Sequence, residues 1–411
     1  MHPLRPGHQV HLLQGGQEYF PALVRAIDRA THEVRMETYI FDLDPSGQTV
    51  ATALVRAAQR GVAVYLVMDG AGTPVIASQW AQKFDAAGVH WHIYLPLGRL
   101  GLLIPNRWRR LHRKLCVVDG RVAFCGGINV LDDFLDPNYG TLSEPRFDFA
   151  VRVMGPLVKE VHEVAEQFWW RVQTASNVRR KDFSAAWQTL QAAMEAELDG
   201  ELDSNLDEID LHHGKDSGLR SAKADLVLRD NLRHRSRIER AYRKAIGDAR
   251  KEVIIANAYF LPGHKLRKAL IHAAQRGVQV RLLLQGRYEY FMQYHAVRLV
   301  YGALLQAGVE IHEYAPSFLH AKVAVIDGHW ATVGSSNLDP LSLLLAREAN
   351  VVVDDVHFAK DLRERLVNAM EQEGVRVDPA SYAHRPWRQR CLDGLAFGLM
   401  RLGLFLTGKR Y

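Results

Sequence analysis

Cysteine is scarce in this chain, with three in 411 residues, at Cys116, Cys125 and Cys391. That count excludes a disulfide framework. Cys116 and Cys125 lie in apolar strands and read as small core residues, in keeping with a reducing compartment. Long apolar runs are missing too. No stretch of about 18 uncharged apolar residues occurs, so no membrane-spanning helix is predicted. The opening "MHPLRPGHQVHLLQGG" lacks the continuous apolar segment of a signal peptide. Cys, His and carboxylate groups do not cluster at metal-ligand spacing, so neither a metal nor another cofactor is expected. Nor is there an acidic excess: 52 Lys and Arg against 46 Asp and Glu leave a net charge of +6. That sign favours an anionic partner, a lipid surface or a nucleic acid.

What is present is the profile of a globular protein, 48% apolar and 24% charged, long enough for two or three domains. The chain is also duplicated. "LVRAAQRGVAVYLVMDG" (54–70) and "LIHAAQRGVQVRLLLQG" (270–286) agree at ten of seventeen positions, and "AAGVHWHIYLP" (86–96) is echoed by "QAGVEIHEYAP" (306–316). Each half runs strand, helix, "RGV" plus strand, helix, "AGV" plus strand. This alternation predicts α/β lobes, each a mostly parallel sheet flanked by helices. The expected division is a first lobe over 1–175, a linker over 176–229, a second lobe over 230–375 and a tail over 376–411. The linker contains "EAELDGELDSNLDEID" (195–210), with eight acidic side chains and no periodicity, and reads as an exposed connection.

A second repeat carries the chemistry. "LHRKLCVVDG" (111–120) and "FLHAKVAVIDG" (318–328) share His-x-Lys-x4-Asp: His112, Lys114 and Asp119, then His320, Lys322 and Asp327. With 19 His and about 6% of each charged type, chance supplies ~0.07 matches. Each copy is followed seventeen residues after its His by Asn, Asn129 in "GGIN" and Asn337 in "GSSN". In a strand, positions i and i+2 share a face, so each His and Lys project together.

Two imidazoles facing one phosphate could divide the cleavage of a phosphodiester. One attacks phosphorus and the other protonates the leaving oxygen. Lys114 and Lys322 would offset charge on the non-bridging oxygens, and Asn129 and Asn337 would donate to them. Each His needs an orienting carboxylate on its other ring nitrogen. Asp119 and Asp327 lie at the far end of the strand in Asp-Gly turns, which suits a structural role. Better placed are Asp148 in "RFDFAVRV", 36 residues after His112, and Glu348 in "REANVVV", 28 after His320.

The paired "HRKLCVVD…GGIN" and "HAKVAVID…GSSN" motifs resemble the phospholipase D superfamily over nearly the whole chain outside the acidic linker. "METYIFDLDPSG", "NAYFLPG", "GSSNLDPLSL" and "REANVVV" look like the bacterial cardiolipin synthases, in the subgroup without N-terminal transmembrane helices. The resemblance implies two tandem lobes with the active site between them. It also implies a phosphohistidine intermediate made from phosphatidylglycerol with release of glycerol. A second phosphatidylglycerol then resolves this intermediate to cardiolipin. It further implies catalytic roles for His112, Lys114, Asn129, Asp148, His320, Lys322, Asn337 and Glu348, with attack assigned to the first-half histidine. The residues themselves leave open hydrolysis, transfer to another alcohol, or a nuclease of the same superfamily. One departure is "GGIN" where the second half has "GSSN", which removes a possible hydroxyl donor.

Other features favour lipid over nucleic acid. Tyr94 and His112 are 18 residues apart, whereas Tyr314 and His320 are 6 apart. The extra segment, "LPLGRLGLLIPNRWRRL", sets Leu100, Leu102, Leu103, Ile104 and Trp108 among Arg99, Arg107, Arg109 and Arg110. An apolar, Trp-bearing, arginine-rich loop suits the headgroup–acyl boundary or, alternatively, packs on its own domain. As a lid it would exclude water and favour transfer over hydrolysis. The tail "PWRQRCLDGLAFGLMRLGLFLTGKRY" (386–411) reads as a helix lying in the interface or packed on the domain. Glu37, Tyr39 and Tyr259 are further expected substrate contacts. The partners expected are anionic phospholipid and a membrane surface, with no nucleic acid. The expected location is peripheral, on the cytoplasmic face of a bacterial inner membrane.

Overall fold

The computed structural model describes residues 4–98, 108–179, 187–189, 191–193, 221–230, 236–288, 291–339 and 346–406. The first half runs β1 (Arg5–Gln14), α1 (Gly15–Asp28), β2 (Glu33–Thr38), α2 (Pro45–Gln59), β3 (Ala63–Asp69), α3 (Ser78–Ala87) and β4 (His90–Tyr94). It continues through β5 (Arg110–Leu111), β6 (Lys114–Val118), β7 (Val122–Gly126), β8 (Leu135–Asp136), β9 (Gly140–Thr141), β10 (Phe149–Met154) and α4 (Leu157–Arg179). The second half repeats this plan with β11 (Ala222–Arg229), α5 (Arg237–Asp248), β12 (Glu252–Asn257), α6 (His264–Gln275), β13 (Gln279–Gln285), α7 (Phe291–Gln306) and β14 (Glu310–Tyr314). It closes with β15 (Lys322–Ile326), β16 (Trp330–Gly334), β17 (Ala346–Asp354), α8 (Val356–Asn368), β18 (Gly374–Arg376), α9 (Pro379–Ala383) and α10 (Trp387–Leu406).

Sixteen of the strands form one sheet in which the halves join edge to edge through β1 and β11, and β8 pairs with β9 apart from it. Parallel pairing along that sheet runs through β2–β3–β4 and β12–β13–β14, with a short β5–β17 pair beside it. The expectation of mostly parallel sheets therefore holds only for those strands. The motif strands form antiparallel hairpins, β6 with β7 and β15 with β16. The reason is the Asp-Gly turn between them, which reverses the chain in too few residues for a crossover. The expected linker also runs too far at its C-terminal end, because Ala222–Arg229 pairs with both β17 and β1. The acidic stretch 195–210 lies outside the described residues.

Three large apolar clusters hold the sheet, with a smaller one of Val67, Leu111, Phe168, Trp169 and Val172 beside β5. One lies within each half, and a third joins Leu115, Val151 and Leu157 of the first half to Val323, Val351 and Leu362 of the second. This shared core fixes the two motif hairpins relative to one another. The motif aspartates tie each hairpin to its lobe. Asp119 and Asp327 both have φ of 51°, in the left-handed region that Asp tolerates. The Asp119 carboxylate accepts from the amides of Thr31, His32 and Glu33 at 2.9, 2.8 and 2.8 Å. Asp327 accepts from Arg250, Lys251 and Glu252 at 2.8, 2.8 and 3.0 Å. Burial works against the Asp119 charge, but those amide donors hold its carboxyl below the usual range. Each motif aspartate thus caps the entry to the first parallel strand of its lobe.

Candidate active site

The two motif histidines meet carboxylates from opposite halves. His112 Nδ1 lies 3.1 Å from Glu348 Oε2, and His320 Nδ1 lies 2.6 Å from Asp148 Oδ2. Spacing along the chain suggested that each His would use the acid of its own half, and the structure crosses them. The crossing follows from how each His enters its hairpin. The His112 amide donates to the Arg347 carbonyl at 3.0 Å and the His320 amide to the Phe147 carbonyl at 2.9 Å. Each motif histidine is thereby laid beside the strand that carries the other half's acid. Leu111 pairs with Arg347, and Phe147 bridges to Leu319 in the same parallel sense. Each carboxylate occupies Nδ1, which leaves Nε2 as the nitrogen for chemistry.

The lysines complete the set. Lys114 Nζ donates to the His112 carbonyl at 2.6 Å, and Lys322 Nζ donates to the His320 carbonyl. Burial pushes the Lys114 ammonium down to about 7, with Glu348 resisting and Lys322 adding to the fall. Burial also lowers both imidazoles. Glu348 partly restores His112, whereas Lys322, Lys114 and Arg146 drive His320 well below its ordinary value. The carboxylates diverge. Burial pushes Asp148 up to about 6 against Lys322 and the Phe149 amide. Burial acts on Glu348 in the same sense, but His112, Lys114 and the Ser335 hydroxyl together hold it below its ordinary value. Two similar acid–imidazole pairs are therefore poised differently.

Asn129 is buried, and its Oδ1 accepts from the Ile40 amide at 3.2 Å, which fixes the direction of its NH2 group. Asn337 is buried in the second half. Tyr39 lies at the site, its ring 5.0 Å from the His112 ring and 5.5 Å from Lys114 Nζ. Tyr259 stands two residues beyond β12, half-buried. Glu37 does not face a substrate. Its carboxylate is buried and clamped by Arg113, whose Nη2 donates to Oε1 at 2.8 Å and whose Nε donates to Oε2. Arg110 is likewise turned inward, donating to Asp69 at 3.0 Å and to the Leu95 carbonyl at 3.1 Å. Asp69 also accepts from the Leu111 amide at 2.7 Å and so anchors the strand before His112. Trp108 and Arg109 are half-buried, whereas Leu102, Leu103 and Arg107 lie outside the described residues. Sequence reasoning missed Arg113, Asp69 and Ser335 as positioning residues. Only the Ser335/Gly127 difference had left a signal. Among the described residues no three His, Cys, Asp or Glu side chains group as metal ligands.

A family model described as "Cardiolipin synthase, PLD-like domain" matches residues 23–169 and 242–370. The chain belongs to this family. Among its relatives, cardiolipin synthase B of Escherichia coli K12 is 38% identical over 408 residues, covering 97% of this chain and 89% of that one. The probable cardiolipin synthase YwiE of Bacillus subtilis is 27% identical, covering 94% of this chain and 71% of its own length. Among solved structures, a phosphatidylserine synthase of Haemophilus influenzae aligns with a TM-score of 0.63 at 12% identity, covering 97% of this chain and 95% of that one. At that identity the likeness concerns the fold alone. No helix among the described residues is long and apolar enough to cross a membrane.

Proposed function

We propose that this cardiolipin synthase family member converts two phosphatidylglycerol molecules to cardiolipin and glycerol through a phosphohistidine. The carrying observation is the crossed pairing. Two imidazoles are each held through Nδ1 by the other half's acid, which leaves each Nε2 to meet the substrate phosphate. In the first step His112 Nε2 bonds to phosphorus. The bond from phosphorus to the glycerol oxygen breaks, and the His320 imidazolium gives its proton to that oxygen. In the second step the hydroxyl of another phosphatidylglycerol gives its proton to His320 and attacks phosphorus, and the P–N bond breaks. Lys114 and Lys322 offset charge on the non-bridging oxygens, and Asn129 and Asn337 donate to them.

The electrostatics favour attack by His112. Phosphorylation makes that ring cationic, and Glu348, held ionised by its surroundings, stabilises the cation. His320, whose imidazolium loses its proton readily, suits the leaving glycerol. An arriving phosphate anion raises both imidazoles and supplies the charge that protonation of His320 needs.

The enzyme works peripherally at the membrane surface. Its support is α10, which packs on α7 and turns Trp387, Leu392, Leu395 and Leu399 outward. The two readings of the tail merge into one helix with two faces. Asp393 is buried between His295 Nδ1 at 2.8 Å and Arg385 Nη1 at 2.9 Å and holds the inner face. Three unpaired cysteines, one of them the exposed Cys391, agree with the cytoplasmic side of the inner membrane.

The test is purified protein with labelled phosphatidylglycerol and EDTA, followed by resolution of the lipids. Cardiolipin with released glycerol is expected. Phosphatidic acid alone would mean a hydrolase, and inertness to lipid with cleavage of DNA would overturn the substrate class.

A further inference from the structure

The two halves repeat the histidine site, but one feature beside it has no counterpart among the described residues of the other half. A cleft with a volume of about 330 Å3 opens between β4 and α4, and three arginines, Arg109, Arg171 and Arg347, line it with Tyr94 and Phe168. No Asp or Glu lines it, and none of the three guanidinium groups has a carboxylate partner among the described residues. The Arg347 guanidinium stacks 5.1 Å from the Phe168 ring centroid, and its Nε is buried without a hydrogen-bond partner among the described residues. Three cations converging without a counter-charge repel one another, and a bound anion relieves that repulsion. Guanidinium forks match the oxygens of a phosphate.

The cleft also adjoins the strand that carries Glu348. Tyr94 ends β4 and Asp69 ends β3, so the cleft opens at the C-terminal end of the parallel strands, where ligands of such sheets bind. Arg347 shares its peptide with the site: its carbonyl accepts from His112, and the next residue is Glu348. The duplication supplies an internal control. Beside the second-half strands the position of Arg347 is taken by Phe147 of the first half, which packs on Tyr314, the counterpart of Tyr94, with ring centroids 5.2 Å apart. The position of Arg109 is taken by Ser317, which is fully buried. The same place is thus filled by a ring in one half and left open and cationic in the other. Such an asymmetry gives the acceptor a place of its own beside the covalently held donor.

We propose that the Arg109–Arg171–Arg347 cleft binds the phosphodiester of the acceptor phospholipid while its hydroxyl attacks the phosphohistidine. The inference rests on the phosphatidyl-transfer reading above. Its test measures partition of labelled phosphatidylglycerol between cardiolipin and phosphatidic acid, and the acceptor KM, in Arg109→Ala, Arg347→Gln and Arg171→Glu. Arg171 is exposed on α4, so its variant probes the cleft without disturbing β17. The cardiolipin-to-phosphatidic-acid ratio is expected to fall about tenfold per arginine, with a rise in acceptor KM. A wild-type ratio and KM in all three variants would overturn the proposal. Inorganic phosphate is added to the wild type as a competitor. If it suppresses transfer as strongly as a short-chain phosphatidylglycerol analogue at equal concentration, the site takes free phosphate and the lipid assignment falls. Wild-type protein that forms neither glycerol nor cardiolipin would sink the transfer reading itself, a result separable from an insensitive cleft.

Discussion

Ser335 donates its hydroxyl to the Glu348 carboxylate, whereas Gly127, its counterpart, leaves room for Asp148. A Cβ on Gly127 would lie 2.3 Å from Asp148 Oδ1, so the first half cannot carry the serine of the second. The Gly127/Ser335 difference between the motif tails is therefore steric. It also adds to an electrical separation of the acids: His112 and Lys114, with the Ser335 hydroxyl, draw Glu348 down, while burial pushes Asp148 up to about 6.

Removing the Ser335 hydroxyl leaves Glu348 with one donor fewer. Ser335→Ala is expected to lower kcat about tenfold, and Glu348→Gln, which loses the charge opposite His112, about a thousandfold. Gly127→Ser should displace Asp148 and cost activity comparable to Asp148→Asn, while a thermal melt still shows a cooperative transition. Steady-state kinetics beside calorimetry check the three, and full activity in Gly127→Ser would contradict the packing argument.

Attack by His112 and proton donation by His320 separate when the leaving group needs no proton. With phosphatidyl-p-nitrophenol, His320→Ala should still give a burst of nitrophenol and a covalent adduct on His112. His112→Ala should give neither. Stopped-flow absorbance and peptide mass mapping read this out, and a burst in His112→Ala alone would reverse the two roles.

Two groups bound the pH range. Asp148 must be ionised to accept from His320, so kcat/KM is expected to fall as pH drops through about 6. Lys114 must be protonated to face a phosphate, so kcat/KM should fall again as pH rises through about 7. The result is a narrow bell. Bound phosphate raises the lysine, so the alkaline limb of kcat should lie higher than that of kcat/KM. Lys114→Arg keeps its charge throughout and should remove the lysine's share of the alkaline limb, leaving the loss of the His320 imidazolium proton, which a full pH–rate profile would show.

The outward face of α10 should govern membrane binding without touching the chemistry. Leu392→Ser combined with Leu395→Ser and Leu399→Ser is expected to reduce flotation with anionic liposomes about tenfold or more, since each buried leucine contributes roughly 2 kcal/mol. Turnover of a monomeric short-chain phosphatidylglycerol should stay within about twofold of wild type. Unchanged flotation would assign the contact to another surface.

Much of the site was legible because it rests on local spacing within a duplicated unit. His-x-Lys places two side chains on one strand face whatever the fold around it. The Asp-Gly turn marks its hairpin, and an eight-residue run such as "AKADLVLR" was overlooked only because an irregular acidic stretch precedes it. Glu37 and Arg110 misled for one reason: a charged residue looks exposed in a sequence, and only packing reveals a buried partner such as Arg113 or Asp69.

The amino-acid order alone determined that two His-Lys hairpins exist, that each carries an acid later in its half, and that the halves differ at Gly127 and Ser335. Which acid serves which histidine was decided in three dimensions. The amides of His112 and His320 pair with strand carbonyls of the opposite half, and the shared core holds them there. Strand periodicity is a property of neighbours along the chain, whereas this exchange depends on contacts between residues 172 and 236 positions apart.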